Sequence, residues 1–276
     1  MKKSFINLLA VSALVFGMAS CGGSQKSNKE AAKNEEAAVI AGSVPKNLLT
    51  EELKTETIQL LKDMPDSEIP YRAYSGEVKL GVGNLGYMVP TSKANDLTTN
   101  SQKARAVGIY FADLNILRAI NQPTVDVEAV LAKLTADLNI SYIQNVMKDK
   151  LPENASKEEF KAFTQKQQEK IIDELAANDR MDVQIEILAG MAAEYACLMA
   201  NPSLVIEGDA TSAGLSENME KRVGVLLEIT EDLSTYYPDL KNVGTTIAPL
   251  QTMTATITTA RNSNAEITGI RDALLK

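Results

Sequence analysis

From Ile187 to Ala200 the chain carries a single charge, Glu194, in a segment whose spacing predicts a helix from about Met181 to Ala200. A helix that is apolar around its whole circumference must be buried. A second helix of this kind is predicted from about Ser101 to Asn121, where Val107, Ile109, Tyr110, Phe111, Leu114, Ile116, Leu117 and Ile120 cover most of the surface. Two such helices dictate the architecture. They form the centre of a core, and the other elements must be amphipathic and wrap them.

At about 100° per residue, Arg105, Gly108, Asn115 and Arg118 share the one polar side of the earlier helix, while Asp113 projects between Ala106, Ile109, Leu117 and Ile120. Glu194 likewise lies on the face of Val183, Ile187, Gly190, Cys197 and Leu198. Each central helix thus pushes one carboxylate inward. Desolvation makes such a group costly and raises its pKa, so Asp113 and Glu194 are the candidate catalytic residues, as an acid/base pair or a cation site. The competing structural reading has them satisfied by Tyr110, Tyr195, Arg118, Arg180 or a neighbouring helix end, and helical cores commonly hold such networks.

The remaining helices follow from caps and stripes. Thr50 caps a helix over 51–64 with Leu53, Ile58 and Leu61 inward, and residues 65–76 are expected to be irregular, pinned by Tyr71 and Tyr74. Thr124 caps a helix with Val127, Leu131, Leu134 and Leu138 on one face, and a short separate helix is expected from Ile140 to Lys150 before Pro152. Ser156 and Glu159 form a capping box for a helix to about Asn178. After Pro202 a loop or short strand precedes a helix over 212–235. Pro238 opens a helix continuing through Val243, Ile247, Leu250 and Ile257, against the strand preference of its threonines, and Ser263 with Glu266 marks a capping box for the last one. The expected fold is all-α, a single body of about eight or nine helices in antiparallel hairpins, a solenoid-like stack being one such arrangement, without a fixed-period repeat.

The segment Gly81-Val82-Gly83-Asn84-Leu85-Gly86 spells G-x-G-x-x-G. A dinucleotide site needs a strand before those glycines and a long helix after them, and Pro90 forbids the latter. The glycines are therefore read as permitting close packing.

A chain with no histidine has no Ser-His-Asp triad, Cys-His pair or histidine metal site. No calcium-loop motif is present, and no cofactor or metal is expected. Without tryptophan and with 5% aromatics, sugar-stacking platforms are poorly supplied. Cys197, mid-helix among apolar neighbours, reads as packing. A net charge of -8 argues against nucleic acid as a partner.

Ahead of the body, Lys2 and Lys3 precede an apolar run from Phe5 to Phe16, and Met18-Ala19-Ser20-Cys21 follows. This resembles the signal peptide and lipobox of bacterial lipoproteins. The resemblance implies cleavage before Cys21 and acylation of its thiol, palmitate among the chains, with several chains holding the protein firmly. Losing residues 1–20 removes two lysines and no acid, moving the net charge from -8 to -10. Residues 21–43, the lipidated cysteine and a Gly, Ser, Lys, Asn, Glu and Ala tether, would span roughly 25 Å as a flexible coil. The expected organisation is a signal peptide over 1–20, this tether, and a helical domain over 44–276. No acid precedes Glu30, which favours the periplasmic face of the outer membrane. With Cys21 lipidated, Cys197 has no partner for a disulfide.

As a whole the chain is similar to small helical envelope lipoproteins, on its lipobox, its tether and the segment Val107-Gly108-Ile109-Tyr110-Phe111-Ala112-Asp113-Leu114. Together these features imply a lipid-anchored module that binds an envelope protein or an apolar ligand. The alternatives are an envelope hydrolase using Asp113 and Glu194 and, third, a purely structural spacer.

Overall fold

A computed structural model describes residues 49–276 apart from Glu153, all within the unit Pro45–Lys276. The expectations for the signal peptide, Cys21 and the tether lie outside those residues. In chain order the elements are α1 (Glu51–Asp63), α2 (Glu68–Tyr74), β1 (Val78–Leu80), two 3₁₀ helices (Val82–Tyr87 and Thr91–Asn95), α3 (Asn100–Ala119), α4 (Val125–Asp137), α5 (Ile143–Met147) and α6 (Lys157–Ala177). They continue with α7 (Met181–Ala200), β2 (Leu204–Ile206), α8 (Asp209–Leu233), α9 (Pro238–Ile247), α10 (Leu250–Met253), α11 (Ile257–Asn262) and α12 (Asn264–Leu274). The fold is all-α, with one antiparallel ribbon in which Val78 faces Ile206 and Leu80 faces Leu204.

The two apolar helices are the core. Every residue of α7 except Asp182 is buried, as is α3 from Ala106 to Leu117. α7 is long and apolar enough to cross a bilayer, but its apolar surface is covered on all sides by protein. It packs against α3, α6, α8, α9, α11 and α12, a hub rather than a link in a stack where each hairpin touches only its chain neighbours.

α3 and α7 run in the same direction, Arg105 lying beside Gly190 and Asn115 bonding Tyr195 further along. Their backbones touch. A Cβ on Gly108 would stand 1.8 Å from the Ile187 carbonyl oxygen, and one on Gly190 2.1 Å from that of Arg105. The side of α3 read from sequence as polar is therefore the side that α7 crosses.

Caps appear where the chemistry asks for them in most places. Thr50 accepts from the Leu53 amide, and Ser156 with Glu159 forms a full capping box. Thr99 and Gln102 form another at the head of α3, which the sequence reading overlooked. Four expectations fail for physical reasons. Thr124 does not cap α4 with its side chain, because its backbone is already helical and its hydroxyl donates to Glu128 Oε1 instead. Residues 65–76 are not irregular, because α2 forms within them; Tyr74 still pins the segment, donating to the Ala155 carbonyl at 2.6 Å and stacking on Phe160. The helix expected from Pro238 onward breaks into α9, α10 and α11: Pro249 has no amide to donate and restarts the turn at α10, and the Thr256 side chain caps the Thr259 amide to start α11. Ser263 makes no side-chain cap because α11 and α12 abut there and its conformation is that of a helix end.

Candidate functional site

Asp113 and Glu194 meet. Parallel passage of α3 and α7 brings the two carboxyl groups within hydrogen-bonding reach, at 1% and 2% exposure. Asp113 Oδ1 and Glu194 Oε1 have no donor from any other group. Two buried acceptors cannot face each other unprotonated, so the pair shares a proton. Burial, then the Glu194 charge, holds the Asp113 carboxyl well above its ordinary range. Burial likewise pushes Glu194 up, to about 7, against the opposing pull of the Arg271 guanidinium. Arg271, lying against Glu194, favours the charge on that side of the pair, which carries one negative charge.

Arg271 balances that charge. From α12 its Nη1 reaches Glu194 Oε2 at 3.3 Å and the Tyr87 carbonyl at 2.5 Å, while Nε and Nη2 donate to Asp272 Oδ1. The partners expected from sequence are engaged elsewhere. Tyr110 donates to the Pro90 carbonyl, Tyr195 accepts from Asn115, Arg118 pairs with Glu128, and Arg180 donates to the Leu138 carbonyl. Sequence reasoning missed Arg271 although the signal was present. It lies between Ile267 and Leu274 on the buried face of α12, the same mismatch of charge and stripe that singled out the two acids. Arg222, fully buried in α8 between Met219 and Val223 and donating to the Pro65 carbonyl, was missed in the same way.

Above Arg271 opens a cleft of about 390 Å³, lined by Gly83, Gly86, Tyr87, Asn201, Asn264, Thr268 and Arg271. Asn264, Thr268 and Arg271 recur at helical spacing and present one polar face of α12. The opposite wall is the 3₁₀ helix spelled by the glycine motif, held down through the bond from Arg271 to Tyr87. The expected packing role for those glycines is not found at two of them: a Cβ on Gly83 or Gly86 would have no atom within 4 Å, and neither has positive φ. Asp113 and Glu194 do not line the cleft; Arg271 separates them from it. The Tyr87 hydroxyl is buried and unpartnered, and burial raises its pKa well above the usual value.

Other openings are less suited to a ligand. Between α3, α5, α6 and α7 an apolar gap lined by Phe111, Ile143, Ile171 and Ile187 holds about 20 Å³, room for about one water. A larger trough of about 570 Å³ runs past Arg118, Lys148, Lys150 and Phe163, and there Arg118 pairs with Glu128 and Asp149 with Lys170. Cys197 touches the Ile267 carbonyl, and burial pushes its thiol up to about 12, which leaves it an inert packing group. Among the described residues the large hydrophobics left exposed are Val125 and Val205, which are far too few for an apolar docking groove.

The fold and site thus define an all-helical body with a proton-sharing carboxyl pair tied by an arginine to a polar cleft. Comparison of the chain with family models, with curated proteins and with solved structures gives no match.

Proposed function

We propose that this chain is a binding module of the cell envelope, anchored through lipid on Cys21 to the periplasmic face of the outer membrane, and that it takes a small polar ligand in the cleft over Arg271. The observation that carries the reading is the pair Gly83 and Gly86. Neither backbone conformation nor packing requires glycine there, and both line a cleft whose other wall carries amide and guanidinium N–H groups. The volume lies within the range of small-molecule sites, roughly 300–1,000 Å³. Hydrolysis by Asp113 and Glu194 has less support. It asks both carboxyl groups to reach substrate or water, and both are shut away behind Arg271.

Gly86→Phe tests the cleft, because its ring grows into open space and leaves the core alone. A panel of small polar compounds screened by thermal shift should contain some that raise the melting temperature of the wild type and leave that of Gly86→Phe unchanged. Compounds that stabilise both proteins equally would place the ligand elsewhere. For the anchor, Cys21→Ser should abolish palmitate labelling and release the protein from membranes; retention of the label would refute acylation at that residue.

A further inference from the structure

Resting on the cleft reading above, we propose that the cleft is a proton-coupled oxyanion site. A carboxylate, phosphate or sulfate group of the ligand docks on Arg271, and Glu194 takes up a proton from solvent as it does so. The lining supplies the chemistry: the Asn264 amide and the Arg271 guanidinium carry N–H donors, and no acid lines the cleft among the described residues. Among the described residues lining the cleft Arg271 is the one cation, and the same guanidinium holds Glu194 from its buried side.

That double duty produces the coupling. With one proton on the carboxyl pair, Glu194 and Asp272 place two negative charges against the single positive charge of Arg271, and an incoming anion meets a net repulsion. A second proton on the pair removes one of those charges and frees an Nη1 hydrogen of Arg271. The anion and the proton therefore favour each other, and by linkage the effect is reciprocal. The other groups facing the pair are Tyr110 from α3, Tyr195 and Cys197 from α7, and Tyr87 from the 3₁₀ helix. Burial raises the pKa of all four and keeps them neutral around neutrality, so Arg271 and Asp272 alone supply competing charge.

Sulfate is the probe, because its own charge is constant from weakly acid to weakly alkaline solution. Its dissociation constant is measured calorimetrically on the full lipidated chain in neutral detergent micelles, at several pH values between about 6 and 9, in buffers of different ionisation enthalpy. The expected result is a dissociation constant that rises by up to about tenfold per pH unit above the titration of the pair, with uptake of as much as one proton per sulfate. Glu194→Gln, a neutral copy of the protonated state, should bind sulfate at high pH as tightly as the wild type does at low pH, with a flat profile. Gly86→Phe should bind at neither. A flat wild-type profile that Gly86→Phe still abolishes overturns the proton coupling and leaves the cleft as a binding site. No sulfate binding at any pH overturns the oxyanion assignment, and the compound screen on Gly86→Phe then decides the cleft independently. If Glu194→Gln does not fold, carbon-13 titration of the Glu194 carboxyl in the wild type replaces it: sulfate should raise its midpoint, and an unmoved midpoint refutes the coupling.

Discussion

At the scale of single residues, Arg271 joins the buried carboxyl pair to the cleft. Removing one partner of a buried ion pair costs roughly 3–5 kcal/mol because the other charge is left without compensation. Arg271→Leu should therefore be strongly destabilising at pH 8, where Glu194 is mostly ionised, and much less so at pH 5, where burial has already neutralised the carboxyl. Urea unfolding at the two pH values reads this directly. Equal losses at both would mean that Arg271 acts through its bond to the Tyr87 carbonyl alone. The residues of this site were legible to different degrees. Asp113 and Glu194 betray themselves by breaking apolar stripes that are otherwise almost unbroken, so angular position alone pointed inward. Arg271 breaks the stripe of a short helix whose polar face carries two other charges, Glu266 and Asp272, where one cation on the wrong side is easily taken as surface. The cleft itself was not legible, because it depends on how the Val82–Tyr87 segment lies across α12, and no local periodicity encodes that.

At the scale of elements, α3 and α7 could be delimited from sequence almost to the residue, because burial on all sides leaves no ambiguity of phase. What sequence alone did not give was their mutual approach. Gly108 seemed to belong to a wet face, yet both it and Gly190 are sites of backbone-to-backbone contact. A methyl group at either position meets main-chain atoms of the partner helix, which cannot rotate away as a side chain can. Overpacking typically costs about 1–3 kcal/mol, and Gly108→Ala and Gly190→Ala should lie at or beyond the upper end of that range. Chemical denaturation of the two variants checks this, and a loss below about 1 kcal/mol would show that the helices can part cheaply. The elements that were misread are those in which backbone chemistry competes with pattern. Pro249 interrupts a stripe of correct spacing, and Thr245, Thr246 and Thr254 bond carbonyls four residues back instead of stiffening a strand. The β1–β2 ribbon joins segments far apart in the chain, each three residues long, which is too short for alternation to be seen.

At the scale of the whole molecule, carboxyl groups raised by burial set the pH dependence of folding: among the described residues, Asp66 and three more in the all-helical core. Asp113, Glu186 and Glu194 all have pKa values raised above their ordinary values, in each case first by burial. A carboxyl raised in the folded state holds its proton there while the unfolded chain has released it, so stability is greatest below the unfolded value and falls as pH climbs through the folded one. Glu186, pushed up from 4.5 to about 7 beside Arg105, Asp182 and Asp239, contributes a fall of about 3.5 kcal/mol across that window, at about 1.4 kcal/mol per unit. Exposed acids whose pKa is lowered by a lysine or a cap, such as Asp137, Glu159 and Glu217, act in the opposite sense but lose their contribution only below about pH 4.5. Stability of the domain should therefore decline between about pH 4.5 and 8, where many proteins are near their maximum. Glu186→Gln isolates one share of that decline. Its unfolding free energy should be close to that of the wild type at pH 4.5 and should exceed it increasingly as pH rises, levelling off above about pH 8. Parallel profiles for the two proteins would mean that Arg105 compensates Glu186 fully, and the fall with pH would then have to come from Asp66 and from the Asp113 and Glu194 pair behind Arg271.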